Sequence, residues 1–244
     1  MRENKYDDEE FFDRYGKMSR SIGGLSAAGE WHEFRRLLPD LKGKKVLDLG
    51  CGYGWHCRYA LEQGAQSVVG TDISEKMLAE AKARTTDARI SYRKVAIEDI
   101  DFGPESFDLV ISSLVFHYVE SFESVCESLY RIVKRNGDLV FSVEHPIFTA
   151  YGNQDWIYDQ SGNKLHWPVD RYFSEGKRDA VFLGQKVMKY HRTLTTYLGT
   201  PVNYGFSIRK VIEPLPTQGM LDTDELMRDE LRRPTMLLVA AHKA

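Results

Sequence analysis

The densest chemical signal in the chain is the run Val46-Leu47-Asp48-Leu49-Gly50-Cys51-Gly52-Tyr53-Gly54. An apolar stretch leads into glycines at alternate positions. Glycines placed so let the backbone turn tightly and leave no Cβ between main chain and ligand. A helix beginning near Trp55 would present its unpaired N–H groups behind this loop. Two carboxylates complete the pattern. Asp48, just before the glycines, suits a cationic amino group and not a pyrophosphate. Asp72, 24 residues further on, falls at the end of the next strand, where a carboxylate can accept from both hydroxyls of a ribose. The spacing is Gly-x-Gly-x-Gly, whereas dinucleotide sites carry Gly-x-Gly-x-x-Gly. These residues point to a nucleoside cofactor.

The elements that must position them alternate between strand and helix, the pattern of a parallel sheet with crossover helices. Lys45–Leu49 reads as a buried strand, Trp55–Gln63 as a helix stopped by Gly64, and Ser67–Thr71 as a second strand. Ser74 is placed to cap a helix running through Ala83. Ile90–Val95 is a third strand, and the apolar run Phe107–Ser112 suits a fourth, buried on both faces. A helix over Phe122–Val133, a turn at Lys134-Arg135-Asn136-Gly137 and a fifth strand over Asp138–Val143 follow. From Ile147 to Tyr190 the chain turns aromatic, Gly-rich and polar, without a long helical period. The alternation then resumes with a helix over Thr193–Asn203, a strand over Phe206–Ile212, a short charged helix over Thr223–Arg232 and a last strand over Thr235–Ala241. The connection before that last strand is short for a parallel crossover, so an antiparallel insertion is expected.

With Val69-Gly70-Thr71-Asp72-Ile73-Ser74 and Ser106-Phe107-Asp108-Leu109-Val110, the glycine run resembles the class I S-adenosylmethionine (AdoMet)-dependent methyltransferases, most closely their small-molecule branch of ubiquinone and sterol methyltransferase type. The similarity covers about residues 44 to 143. It implies a Rossmann-like, seven-stranded, mostly parallel sheet with an antiparallel last strand, in three αβα layers, with an insertion after the fifth strand. It further implies one methyltransferase domain over residues 1–244, divided into a helical lid (1–43), a cofactor-binding core (44–145), a substrate-cap insertion (146–192) and a closing helix with strands (193–244). Residue by residue, Asp48, Gly50, Cys51 and Gly52 would serve the methionine part and ribose, Asp72 the ribose hydroxyls, and Ile73 and Met77 the adenine. Ala96 stands where the family often carries an Asp toward the adenine amino group, leaving Ile97 and Glu98 as the expected contacts. Ser113 and Leu114 would approach the methionine end. Tyr15, Met18 and Arg20 are the expected lid residues, the alternative being a surface helix packed through Phe11, Phe12 and Tyr15.

Methyl transfer from a sulfonium needs an aligned nucleophile, exclusion of water and in some cases a base. His117 and His145 follow strands whose ends should face the cofactor, and histidine is the commonest base near neutral pH. The insertion carries Phe148, Tyr151, Trp156, Tyr158, Trp167, Tyr172, Phe173 and Phe182. These make either its own small core or a pocket for a flat, apolar or cationic substrate, with Trp156 and Tyr172 as candidates.

A net charge of -3 provides no global field for phosphate backbones, so nucleic acid is not the expected partner. The chain lacks an Asp/Asn-Pro-Pro-aromatic run after the fourth strand, where it reads Ser112-Ser113-Leu114-Val115, and it has no Pro-Cys dipeptide. Both absences argue against the common nucleic-acid methylation chemistries. Cys51, Cys57 and Cys126 lack metal-ligand spacing and suit reduced thiols in the cytoplasm, and no metal is expected. No apolar signal segment opens the chain and no apolar run approaches a bilayer span. The expectation is a cytoplasmic AdoMet-dependent methyltransferase of a small molecule, with a non-catalytic AdoMet-binding regulator, a protein or RNA methyltransferase, and a nicotinamide-dependent oxidoreductase as alternatives.

Overall fold

A computed structural model describes residues 4–223 and 225–244. The chain opens with a 3-10 turn at Lys5–Asp7 and helices α1 (Glu9–Gly16), α2 (Ser19–Gly23) and α3 (Trp31–Leu37). Asp8 caps α1 by accepting from the Phe11 amide at 2.9 Å. Strands and helices then alternate: β1 (Lys45–Leu49), α4 (Trp55–Glu62), β2 (Ser67–Asp72), α5 (Glu75–Ala83), β3 (Ile90–Lys94), β4 (Phe107–Ser113), α6 (Phe122–Ile132) and β5 (Val133–Glu144). Beyond β5 come the single-turn helix α7 (Pro146–Thr149), the strand pairs β6 (Ile157–Tyr158) with β7 (Lys164–His166) and β8 (Gly176–Phe182) with β9 (Gln185–His191), helix α8 (Leu194–Asn203), β10 (Phe206–Ile212), α9 (Gln218–Thr223) and β11 (Met236–Lys243).

The main sheet has seven strands in the order β3-β2-β1-β4-β5-β11-β10. β1 through β5 pair in parallel, and β11 enters antiparallel between β5 and β10. This is the expected mostly parallel sheet with an antiparallel last strand. One apolar layer packs α3, α4 and α5 on the sheet through Phe34, Leu37, Cys57, Ala60 and Leu78. The opposite layer packs α6 and α8 through Phe122, Val125, Cys126, Leu129, Ile132 and Tyr197. The α6 residues recur at helical spacing, so a single stripe is buried while Ser121 caps the helix by accepting from the Ser124 amide.

Two local expectations are corrected. Lys134–Gly137 is not a separate turn: the ladder pairs Phe107 with Val133 and resumes with Leu109 opposite Asp138, so these residues bulge out of one continuous strand. The expected helix Thr223–Arg232 is instead α9 followed by a 3-10 segment over Glu225–Leu231, and Asp224 lies outside the described residues.

The insertion contains the β8–β9 hairpin, which the aromatic texture of the sequence hid. Its turn residues Leu183 and Gly184 have φ of 52° and 76°, both left-handed as a two-residue hairpin loop requires. Among the described residues no helix is long and apolar enough to cross a membrane.

Candidate active site

The carboxyl ends of β1, β2 and β4 meet at a cavity of about 260 Å³. The glycine loop forms one wall and is pinned to β2. The amides of Gly50 and Cys51 donate to the Thr71 carbonyl at 2.8 and 2.9 Å. The Gly52 amide donates to Asp72 Oδ2, and the Ser74 amide to Asp72 Oδ1, each at 2.9 Å. The glycines have different tasks. A Cβ on Gly50 would collide with Val115 and one on Gly54 would lie 2.2 Å from Tyr92 Oη, whereas a Cβ on Gly52 meets nothing within 4 Å. Gly50 and Gly54 permit close packing; Gly52 leaves open space in front of the loop.

Asp72 lines this space. Burial pushes its carboxyl up to about 6, against the pull of the Ser74 and Gly52 amides. Asp48 does not line the cavity. It is buried beneath the loop, with Oδ2 accepting from Cys57 Sγ at 3.2 Å and Oδ1 without a partner. Burial without a cation raises its carboxyl to about 7. Cys51 borders a smaller adjoining cleft of about 60 Å³. Ile73, Met77, Ile97 and Glu98 line the main cavity as expected, together with Ala96 itself. So do Ser113 and Leu114, the latter at φ 57°, a costly conformation for leucine. Its amide is held by the Ser142 carbonyl and hydroxyl.

The N-terminal segment supplies a second wall, where Tyr15, Met18 and Arg20 all line the cavity and Arg20 is paired with Glu30 at 3.0 Å. Asp7 docks the segment onto the start of α5 by accepting from the Ser74 hydroxyl at 2.6 Å and the Lys76 amide at 3.2 Å. That contact brings Tyr6 over the cavity. From the other side the β8–β9 hairpin delivers Phe182. The two pieces lock together: Phe11 sits fully buried between Tyr6 and Phe182 at ring separations of 5.1 and 5.8 Å. Arg14 donates to the Leu183 carbonyl and Gln185 to Asp8.

The far end of the cavity is formed by His117, Tyr118 and Glu144. His117 Nδ1 accepts the Glu144 amide at 3.3 Å. A backbone N–H can only donate, so the ring proton resides on Nε2. Burial pushes this histidine down to about 4, leaving it neutral and, in this tautomer, a donor and not a base. Glu144 Oε1 accepts from Lys189 Nζ and Oε2 from Gln154 Nε2, both at 2.6 Å. Burial pushes the Glu144 carboxyl up, but the His117 ring, the Lys189 ammonium and the Gln154 amide outweigh it and hold the group below its ordinary value.

Three other expected residues lie elsewhere. His145 is buried outside the cavity; its Nδ1 caps α7 by accepting from the Ile147 amide, and its Nε2 is 2.9 Å from Glu213. Successive residues of a strand point to opposite sides, so Glu144 faces the cavity where His145 cannot. Trp156 lies in a separate aromatic cleft with Trp167, under the Arg232 guanidinium at 4.3 Å. Tyr172 accepts the Leu194 amide through its hydroxyl and packs on His191. Tyr6, Tyr118 and Glu144, unmarked as site residues by the sequence, take their place together with Phe182, which the sequence offered only among the aromatics of the insertion. Only Glu144 and Tyr118 had a local signal, each next to a chosen histidine at a strand end.

A profile of the methyltransferase domain family matches residues 47–141. The crystal structure of a Listeria monocytogenes protein assigned to the S-adenosylmethionine dependent methyltransferases is 55% identical, superposes with a TM-score of 0.86, and matches 91% of this chain and 99% of its own. An S-adenosylmethionine dependent methyltransferase from Mesorhizobium loti is 41% identical with a TM-score of 0.84, over 90% of this chain and all of its own. A ubiquinone biosynthesis O-methyltransferase from Neisseria meningitidis is 29% identical over 70% of this chain and 79% of its own length.

Proposed function

The chain belongs to the class I AdoMet-dependent methyltransferases, and from that premise we propose that it methylates a small molecule held between the glycine loop and Glu144. The observation that carries this reading is the single cavity that joins Gly50, Gly52 and Asp72 to His117, Tyr118 and Glu144 beneath Tyr6 and Phe182. A polymer could present only a single extruded base or side chain to this cavity, and the N-terminal segment and the hairpin close over it from both sides.

The residues present fit the cofactor. The open space in front of Gly52 admits main-chain contact with a ligand. Asp72 offers a carboxylate to ribose hydroxyls, and Ile73, Met77 and Ile97 offer an apolar bed for a purine. Asp48 lies beneath the loop, outside the cavity, and bonds to Cys57 of α4, so it holds no atom of the cofactor directly. Bound there, AdoMet supplies a methyl group already activated by its sulfonium. The protein's part is to orient the acceptor and exclude water. Residues 4–43 and 146–192 are then two halves of one cover, and the buried free thiols of Cys51, Cys57 and Cys126 suit a reducing cytoplasm.

Incubation of the protein with methyl-tritiated AdoMet and a metabolite extract, followed by separation of small molecules from protein and RNA, tests the reading. Label is expected in the small-molecule fraction. Label confined to macromolecules would overturn it.

A further inference from the structure

Glu144 closes the end of the cavity opposite the glycine loop, and its surroundings are built with unusual care for a site of one carboxylate. Lys189, 2% exposed, donates to Glu144 Oε1 at 2.6 Å and to Gln154 Oε1 at 2.9 Å, while Gln154 Nε2 donates to Glu144 Oε2 at 2.6 Å. This closed triangle fixes the carboxylate plane. It uses one lone pair on each oxygen and leaves others for a ligand. The Glu144 side chain keeps 16% of its surface exposed, into the cavity it lines.

Lys189 settles the charge. Its ammonium lies 5.5 Å from the Phe182 ring and 5.9 Å from the Tyr118 ring, so carboxylate and aromatic faces already hold a cation. The pair is electrically neutral. A protonated amine brought to Glu144 would meet the Lys189 charge at a comparable distance, and repulsion would offset the attraction. A neutral group meets no such opposition.

His117 settles the polarity. With Nδ1 taken by the Glu144 amide, its Nε2–H can only donate. His117 and Glu144 both line this end of the cavity, which therefore offers one donor and one strong acceptor. A hydroxyl matches both, since it donates its proton and accepts at oxygen. An ammonium has no lone pair for the imidazole N–H, a neutral amine has only the one lone pair it must use to attack the methyl carbon, and a carboxylate ligand has no proton for Glu144.

Resting on the reading that this cavity is where AdoMet-dependent transfer occurs, we propose that the methyl acceptor is an uncharged hydroxyl compound whose O–H donates to Glu144 and whose oxygen accepts from His117. The acceptor oxygen forms its bond to the methyl carbon as the carbon–sulfur bond breaks, the electron pair of that bond remaining on sulfur. The O–H becomes strongly acidic as this bond forms, so a weak base suffices. Its proton passes to Glu144 and then to water.

The test uses the full chain and matched panels of phenols, primary alcohols and primary amines, with mass spectrometry to detect one added methyl group. Calorimetry measures the binding of AdoMet, and of phenol to protein loaded with S-adenosylhomocysteine. Methylation of hydroxyl compounds and not of amines is expected. Glu144→Gln should lower turnover by at least about 100-fold and weaken phenol binding while leaving AdoMet binding within about threefold. Because that change leaves Lys189 buried without its counter-charge, the double variant Glu144→Gln/Lys189→Met provides a neutral replacement that retains the fold. It should show the same selective loss. A wild-type protein that binds no AdoMet defeats the underlying reading. One that binds AdoMet but methylates amines, or no hydroxyl compound of the panel, overturns this inference alone. So does full turnover in both Glu144 variants.

Discussion

Replacing Asp72 by alanine probes the cofactor site at its most informative atom pair. Both carboxylate oxygens accept a backbone amide, from Gly52 and from Ser74, so the group ties the glycine loop to the start of α5 as well as facing the cavity. Loss of a charged acceptor for ribose hydroxyls costs about 1–3 kcal/mol, which is roughly 5- to 150-fold in Kd for AdoMet. Asparagine is no gentler a choice, because either amide orientation sets its NH2 against a backbone N–H. Wild-type protein adds an independent signature in its pH profile. Burial places the Asp72 carboxyl at about 6, and a ribose hydroxyl is held best by the ionised form. At about pH 5 most of the free protein is protonated at this group, so affinity falls about tenfold relative to pH 7.5. Asp48, at about 7 beneath the loop, is common to both proteins, so the difference between wild type and Asp72→Ala isolates Asp72. Calorimetric titration of both proteins with AdoMet from pH 5 to 8 provides the data. Equal affinities at neutral pH, or identical profiles below about pH 6.5, would refute the assignment.

Ala replacements at two glycines separate packing from binding. Both sites have positive φ, 51° at Gly52 and 71° at Gly54, so each costs about 1–2 kcal/mol in backbone strain. Gly54→Ala adds the collision with Tyr92 and should lower the Tm further, while Gly52→Ala should keep the fold and lose AdoMet affinity; thermal melts and calorimetry will show whether the order is reversed. Asp48→Asn tests the buried carboxylate. Its folded value is raised from 3.8 to about 7, so protonation favours the folded state, and that stability is complete below about pH 4 and lost as pH rises through 7. Three units correspond to an upper bound of about 4 kcal/mol; the amide should therefore stabilise the cofactor-free protein at pH 8 and have little effect near pH 4, as read by urea unfolding, and equal shifts at both would contradict this. Phe11→Ala removes the ring that joins the two halves of the cover. A buried Phe→Ala change costs about 3–5 kcal/mol, here spent on cover closure, so stopped-flow should record faster AdoMet release, and an unchanged off-rate would exclude the clamp.

The half of the cavity at the glycine loop was legible because it is local. Asp48, Gly50, Gly52 and Asp72 lie on two successive strand ends, and periodicity with glycine spacing is enough to place them. Even there the sequence could not show depth. Asp48 is drawn under the loop, a consequence of α4 packing its Cys57 against the carboxylate. The fold followed from the same local signals, down to the antiparallel β11, which the short connection before it had already implied. Lys134–Gly137 was misread because an Asn-Gly pair signals a turn whether the chain reverses or only bulges.

The half at Glu144 was not legible, and the reason is topological. Tyr6, Tyr118, Glu144, Phe182 and Lys189 come from the N-terminal segment, a strand-end loop, β5 and the hairpin, and only the closed chain makes them neighbours. The count of aromatics in the insertion pointed to Trp156 and Tyr172, yet those rings serve its own packing, and the single ring it sends to the cavity is Phe182. The contribution that matters more is Lys189, since it fixes the charge state of a carboxylate rooted in the conserved geometry of a parallel strand end. The division has a consequence. On the proposed reading, a change on the hairpin at position 189 or 182 should alter which acceptor is methylated while leaving Asp72 and the glycine loop in place. The insertion then acts on substrate choice, on that same reading, through the charge that Lys189 brings to Glu144.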